Sequence, residues 1–280
     1  MRKGRRWIRV TGWALASLVG VCLVAWGALY LHTERLLRGT SLPQQVAALP
    51  HGDAARGERL GRILGCSGCH GETLGGNVFM DIPYVARLVA PNLTKARAQY
   101  DEAAFVRLMR AGTKADGRLA VAMPNKAHQR LTDQELADLR AYILSVPETA
   151  DALPQTRLRP LARVGIVTGD YDINELRADA PESADVLADR LRSHPGKRLM
   201  QVACSECHGI DLAGDPKNAV PPLAVLKGYT PEQFLRLMHE GKTAAGVDSA
   251  TGFMSRVARY RFTALTEDDV RAMKAFIDGS

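Results

Sequence analysis

Cysteine is scarce in this chain. Five residues in 280 are too few for a scaffold stapled by disulfides. Aromatics are scarce too, at 6%, and they do not interleave with basic residues. An excess of one charge sign is missing from most of the length. The net charge is +7, yet Arg2, Lys3, Arg5, Arg6 and Arg9 supply five of the 37 basic groups, leaving 32 against 30 acidic groups in the rest. With no basic stripe, no nucleic-acid partner is expected. Low-complexity tracts are absent as well. An apolar share of 46% with 24% charged residues is the balance of a folded globular protein, and the length suggests about two domains.

One long apolar run is present. Residues 10–31 read VTGWALASLVGVCLVAWGALYL, 22 positions without a charge. As a helix at ~1.5 Å per residue this spans roughly 33 Å, enough for a ~30 Å hydrocarbon layer. Trp7 and Trp13 lie near one end and Trp26 and Tyr30 near the other, where interfacial aromatics belong. The basic cluster precedes the run, so residues 1–9 are expected in the cytoplasm and everything after residue 31 outside it. A cleaved signal would have a shorter apolar region ending at a small-x-small site. Residues 27–32 offer none, so residues 10–31 are read as an uncleaved anchor. Cys22, preceded by Val21 and followed by more apolar residues, is read as an inert thiol.

Downstream, two segments repeat in order and content. Gly57-Glu58-Arg59-Leu60 precedes Cys66-Ser67-Gly68-Cys69-His70-Gly71, and Gly196-Lys197-Arg198-Leu199 precedes Cys204-Ser205-Glu206-Cys207-His208-Gly209. Leu74 and Gly76 follow the first His as Leu212 and Gly214 follow the second. Phe105, Leu108 and Met109 lead to Gly112; Phe234, Leu237 and Met238 lead to Gly241. Thr132-x-x-Glu135 and Thr266-x-x-Asp269 open a last helix in each copy. Apolar residues three and four apart make both copies mainly helical, with no alternating run competing. The expected domains are residues 53–147 and 188–280. Residues 32–52 serve as a tether, and residues 148–187 as a connecting strap that packs through residues 158–167. A single core is marginal at under 100 residues, so each domain should enclose something that helps hold it.

Cys-x-x-Cys-His is the spacing for attaching a c-type haem. Cys66 and Cys69, or Cys204 and Cys207, can each add to one vinyl group of a porphyrin, while His70 or His208 ligates the iron. A shared four-cysteine zinc site would place its pairs ~15–20 residues apart, whereas here each pair sits inside its own copy of the repeat. A thioredoxin-like redox pair would need an α/β pattern, which is lacking. Two haem c groups with iron are therefore expected. Met123 and Met254, each placed in a loop before the last helix, are the candidate sixth ligands, and a thioether there raises the potential. His128 and His239 are the alternatives. Met109 and Met238 read as core filler, and Met80 is too close to His70 to cross the ring. His32, His51 and His194 fall in tethers. A carbonyl beside Pro91 or Pro222 is placed to accept the proximal His Nδ1 proton.

These residues resemble the class I cytochromes c. The resemblance rests on Cys-x-x-Cys-His-Gly, Pro91-Asn92-Leu93-Thr94, the Phe105 to Gly112 segment, Ala122-Met123-Pro124 and Leu131-Thr132-x-x-Glu135-Leu136, and covers nearly all of residues 53–280. It is similar to the membrane-bound cytochrome subunits of bacterial periplasmic alcohol, aldehyde and gluconate dehydrogenases. Those subunits usually carry three haem motifs and often a C-terminal anchor; here there are two motifs and an N-terminal one. Soluble dihaem cytochromes of the c4 type share the two-domain plan without an anchor. The resemblance implies two tandem cytochrome c-like domains after one transmembrane helix, on the periplasmic side of a bacterial inner membrane. It implies a relay of electrons from a dehydrogenase donor to a quinone, cytochrome or oxidase, with no catalytic residues. The alternative is a dihaem peroxidase-like or oxidase-associated haem protein, which needs an open sixth position on one iron.

Overall fold

A computed structural model of the chain describes residues 2–39, 48–150, 152–171 and 195–279. Helix α1 (Arg2–Leu36) is the one helix among them long and apolar enough to cross a membrane. It does not end at residue 31. It runs five residues further, through Glu34, and the chain then turns at Leu37. Thr33 and Leu37 are buried, whereas Cys22 is exposed along with nearly all of residues 10–31. The start of the expected tether is therefore docked. Gly39 donates to the Gly117 carbonyl, Leu119 donates to the Leu37 carbonyl, and Arg118 pairs with Glu34 at 3.0 Å.

The first repeat is built from helices α2 (Ala54–Leu64), α3 (Cys66–His70), α4 (Leu93–Ala96), α5 (Glu102–Ala111), α6 (Asn125–His128) and α7 (Asp133–Ser145). It also contains a hairpin that the sequence reading lacked. Strands β1 (Asn77–Ile82) and β2 (Ala86–Ala90) pair antiparallel, and β3 (Arg157–Leu158) adds to β2. The burial of β2 alternates strictly along Ala86, Leu88 and Ala90. That period of two is short and carries one β-branched residue, so nothing in composition announced it. Helix α8 (Pro160–Thr168) follows β3 and packs on the end of α1. Residues 172–194, with Pro181, His194 and the expected start of the second domain, lie outside the described residues.

The second repeat contains α9 (Pro195–His208), α10 (Pro231–Glu240), α11 (Phe253–Arg261) and α12 (Glu267–Gly279). Where the first repeat has two helices before its histidine, the second has one. Nine positions separate Gly57 from Cys66 but only eight separate Gly196 from Cys204. The extra residue is Gly65, left-handed at φ 77°, which ends α2 and restarts the chain as α3.

Shared features follow from shared sequence. Gly112 and Gly241 close α5 and α10 in the left-handed conformation. Thr132 with Glu135 forms a capping box, and Thr266 with Asp269 exchanges the same pair of bonds. A further box, Thr230 with Gln233, starts α10. The repeated glycines Gly57 and Gly196 mark where the first helix crosses the last. A Cβ on either would lie 1.9 Å from the Asp138 carbonyl oxygen or 2.0 Å from that of Ala272.

The two cores exchange a residue. Ile63 of α2 is buried among Met200, Phe234, Phe262 and Met273 of the second repeat. Its counterpart Val202 of α9 is buried among Leu60, Phe105, Leu136 and Leu139 of the first. Each aliphatic side chain so buried contributes about 1.5–3 kcal/mol, all of it dependent on the repeats staying together.

Candidate haem centres

Each Cys-x-x-Cys-His segment ends on a helical turn, which places two thiols for attachment and one imidazole for ligation close together. Cys66 and Cys69 are half-buried and His70 is buried, on α3. Cys204 is buried, Cys207 exposed and His208 buried, on the last turn of α9. All four thiols are free. Burial pushes the Cys66 thiol up to about 11 and the Cys204 thiol up to about 12, so both are neutral at physiological pH. Burial also lowers the pKa of His70 and His208, against the opposing pull of a carbonyl bond. Both imidazoles are neutral, which is the ligating form.

That carbonyl bond repeats. His70 Nδ1 lies 2.9 Å from the Pro91 oxygen and His208 Nδ1 lies 2.9 Å from the Pro221 oxygen. In the second repeat the acceptor is Pro221, one residue before the Pro222 of the sequence reading. With Nδ1–H donated, Nε2 is left as the nitrogen for a metal.

The loop that delivers this carbonyl is built the same way twice. Leu74 and Leu212, both at positive φ, return the chain after each histidine. Gly76 and Gly214 donate to the His70 and His208 carbonyls. Leu93 and Leu223 then bond to the Leu74 and Leu212 carbonyls. A Cβ on Gly76 would meet Ala90 O at 2.7 Å and Asn92 N at 2.6 Å, the atoms flanking Pro91. On Gly214 it would meet Pro221 itself at 2.6 Å. The repeated glycines thus keep the carbonyl against the histidine. The hairpin β1–β2 is inserted into this loop in the first repeat only, so Pro91 comes 21 positions after His70, whereas Pro221 comes 13 after His208.

Met123 lies in the loop before α6, half-buried against the same core that Cys66 borders. Met254 borders the same core as Cys204. It sits in the first turn of α11 and not in a loop, because α11 takes up nine residues where α6 takes four. Met123 also lines a cleft of about 210 Å³ shared with Ser205 and Glu206 of the second motif. His128 is buried close to His70, with no hydrogen-bond partner for its Nδ1. Burial, reinforced by His70 and Arg261, lowers its pKa to about 4. In the second repeat the counterpart position holds Phe262. His239 is occupied elsewhere: its Nε2 lies 3.1 Å from the Leu265 carbonyl oxygen. Met80 is in β1, and His32 and His51 are exposed.

The residues present fit a covalently held haem in each repeat. Two free thiols three positions apart on a helical turn precede a neutral, buried histidine. That histidine's second nitrogen is already tied to a carbonyl.

The cytochrome c sequence profile matches residues 54–147 and 193–280. The chain belongs to the cytochrome c family. Each matched segment brings one complete attachment motif, so this cytochrome carries two haem c groups with iron, and its function is electron transfer through them. The fructose dehydrogenase cytochrome subunit of Gluconobacter japonicus is 24% identical over 283 residues, covering 88% of this chain and 57% of that protein. The chain therefore spans a little over half the length of that relative. Reduced recombinant cytochrome c4 from Pseudomonas stutzeri aligns with 81% of this chain and 98% of its own, at 20% identity and a TM-score of 0.22.

One residue of this cytochrome's centre carried no signal in the sequence. Arg261, at the end of α11, donates to the Ile63 and Leu64 carbonyls at 3.1 and 2.7 Å and to Glu206 at 2.7 Å. It therefore joins the helix end just before Cys66 to the interior of the second motif. A Cβ on Gly65 would lie 2.7 Å from its guanidinium carbon, so the inserted glycine is also the notch that admits it. The contact is between the repeats, and neither repeat alone contains it.

Proposed function

We propose that the chain is a membrane-anchored, exported dihaem cytochrome c that relays single electrons without catalysing a substrate reaction. In this reading Cys66 and Cys69 hold one haem, and Cys204 and Cys207 hold the other. His70 with Met123 and His208 with Met254 ligate the two irons. Residues 10–31 anchor the chain in a bacterial inner membrane, with the domains at 53–147 and 188–280 in the periplasm. A dehydrogenase donates the electrons, as the name of the Gluconobacter relative suggests, and a quinone, cytochrome or oxidase accepts them.

The observation that carries the reading is the duplication of the whole centre. Both histidines are buried and tied to a proline carbonyl, and in both repeats the first cysteine and a methionine border one core. Haem iron supplies the one-electron couple when bound. The chain's own groups orient the imidazoles, keep them neutral and bury the site so that little rearranges on electron transfer. The methionines are preferred as sixth ligands because only they recur. His128 meets Phe262 at its counterpart, and His239 is spent on a carbonyl.

Near-infrared spectra of the oxidised protein test this assignment. Two methionine-to-iron charge-transfer contributions are expected, with Met123→His and Met254→His each removing about half and lowering one potential. A bis-histidine spectrum at one iron, abolished by His128→Ala, would replace Met123 with His128. A high-spin iron with rapid peroxide reduction in the unmodified protein would favour the peroxidase-like reading.

A further inference from the structure

Helix α8 has two faces, and only one is accounted for. Arg163 and Ile166 face inward and are buried. The Arg163 guanidinium donates to Thr33 Oγ1 at 2.6 Å and to Glu34 Oε1 at 2.7 Å, and it lies 4.1 Å over the Tyr30 ring. Ile166 packs on Leu37. Thr33 in turn donates back into α1, to the Leu29 and Tyr30 carbonyls. The inward face of α8 is thus clamped to the last two turns of α1, at the height of Tyr30.

The other face carries Leu161, Val164 and Val167, exposed by 56, 43 and 49%. Three aliphatic residues spaced three apart on a short surface helix are not what water alone selects. The patch continues onto the β1–β2 turn, whose Tyr84 and Val85 carbonyls accept from Leu161 and Arg159 at the start of α8. There Ile82 is 47% and Tyr84 73% exposed. Tyr84 has φ 63°, a conformation that an aromatic L-residue rarely adopts, and it holds the ring outward. An aliphatic face bordered by an exposed tyrosine is the composition of a surface that sits among lipid headgroups.

We propose that the outward face of α8, with Ile82 and Tyr84, rests in the headgroup layer of the bilayer that α1 crosses. The outward face of α8 is continuous with the lipid-facing end of α1. Tyr30 belongs to the far interfacial end of the apolar run, and α8 is fixed beside it by a buried arginine. Lipid covering α1 up to Tyr30 therefore reaches α8. The cytochrome would then be held by two contacts of fixed relative geometry. A single helix would let the haem domains swing, whereas these two contacts set their height and tilt over the membrane. This rests on reading α1 as a membrane anchor.

Nitroxide labels on the full-length holoprotein test it, in phosphatidylethanolamine–phosphatidylglycerol vesicles and with Cys22→Ser as background. Val164→Cys and Leu161→Cys report on α8. Val19→Cys reports on the middle of α1, and Val225→Cys reports on an exposed position of the second repeat. Collision rates with oxygen and with a water-soluble nickel chelate are compared. The labels on α8 are expected to favour oxygen over nickel several-fold more than the Val225→Cys label, and less than the Val19→Cys label. Equal nickel access at Val164→Cys and Val225→Cys, with Val19→Cys in lipid, overturns the proposal and leaves the anchor standing. Protection of the α8 labels from both reagents means a protein covers the face, and it overturns the proposal too. Nickel access at Val19→Cys removes the anchor reading, and this proposal with it.

Discussion

Arg198 of the second repeat donates to Glu135 at 2.6 Å, the carboxylate that closes the capping box of the first repeat's last helix. The relationship is reciprocal. Arg59, the counterpart of Arg198, pairs with Asp269, the counterpart of Glu135, and also donates to the Ala264 carbonyl at 2.8 Å. Ile63 and Val202 cross the same seam in the same way. Duplicated residues thus serve each other's domain, with only Gly65 between the end of α2 and the first haem motif and α9 carrying the second.

Arg59→Ala combined with Arg198→Ala is expected to lower stability by about 1–2 kcal/mol, since each pair is partly exposed. The more telling effect is on cooperativity. The unmodified protein should lose both haem environments in one thermal transition, followed by Soret circular dichroism, and the double variant should separate them. A single unshifted transition in the double variant would leave the seam to Ile63 and Val202 alone.

Asp138 gives a pH dependence whose sign follows from its partners. Arg56 donates to it at 2.8 and 2.9 Å, the Asp53 backbone at 2.7 Å and Gln134 at 2.9 Å. These bonds, the one to Arg56 foremost, lower its pKa to about 2. A depressed carboxylate stabilises the fold above its unfolded pKa and stops doing so as pH falls through the folded value. Asp138 should therefore contribute fully above about pH 4 and lose its contribution between about pH 4 and 2. Allowing for solvent around Arg56, that contribution is about 1–2 kcal/mol. In acid denaturation, Asp138→Asn should be less stable than the parent at pH 6 and approach it at pH 2. A constant gap between the two curves would show that packing, not charge, is lost.

The attachment motifs, the repeat and the helix ends were legible in the sequence because each is local. Thr132 and Glu135 are three residues apart, and Gly112 follows its helix directly. The Pro91 carbonyl could also be anticipated, because a proline falls between the histidine and the middle helix in both repeats. The hairpin β1–β2 was not legible. Its buried residues are alanines and a leucine, which signal a helix as readily as a strand. The continuation of α1 to Leu36 was hidden by Glu34 and Arg35, whose charges end a membrane run without ending a helix. Arg261 was invisible for another reason. Its partners are 55 to 198 residues away, and its space exists only because Gly65 has no side chain.

Arg261 separates two effects that usually travel together. Its side chain is 11% exposed, and it satisfies Glu206 and two helix-end carbonyls at once. Arg261→Met returns the 39% exposed Glu206 to water but leaves the Ile63 and Leu64 carbonyls without this donor, and a buried unsatisfied carbonyl typically costs about 1–3 kcal/mol. It also removes a positive charge from between the two motifs. A nearby cation disfavours the extra positive charge of oxidised iron, so its loss should lower the midpoint potential of both haems. Arg261→Lys retains the charge but cannot offer the forked donors that reach three acceptors. Redox titration and denaturation of the two variants together read the difference. Arg261→Met is expected to lose stability and potential, and Arg261→Lys to lose stability with potentials close to the parent. If both variants keep the parent potentials, Arg261 is a clamp on the two attachment turns and its charge does not reach the irons.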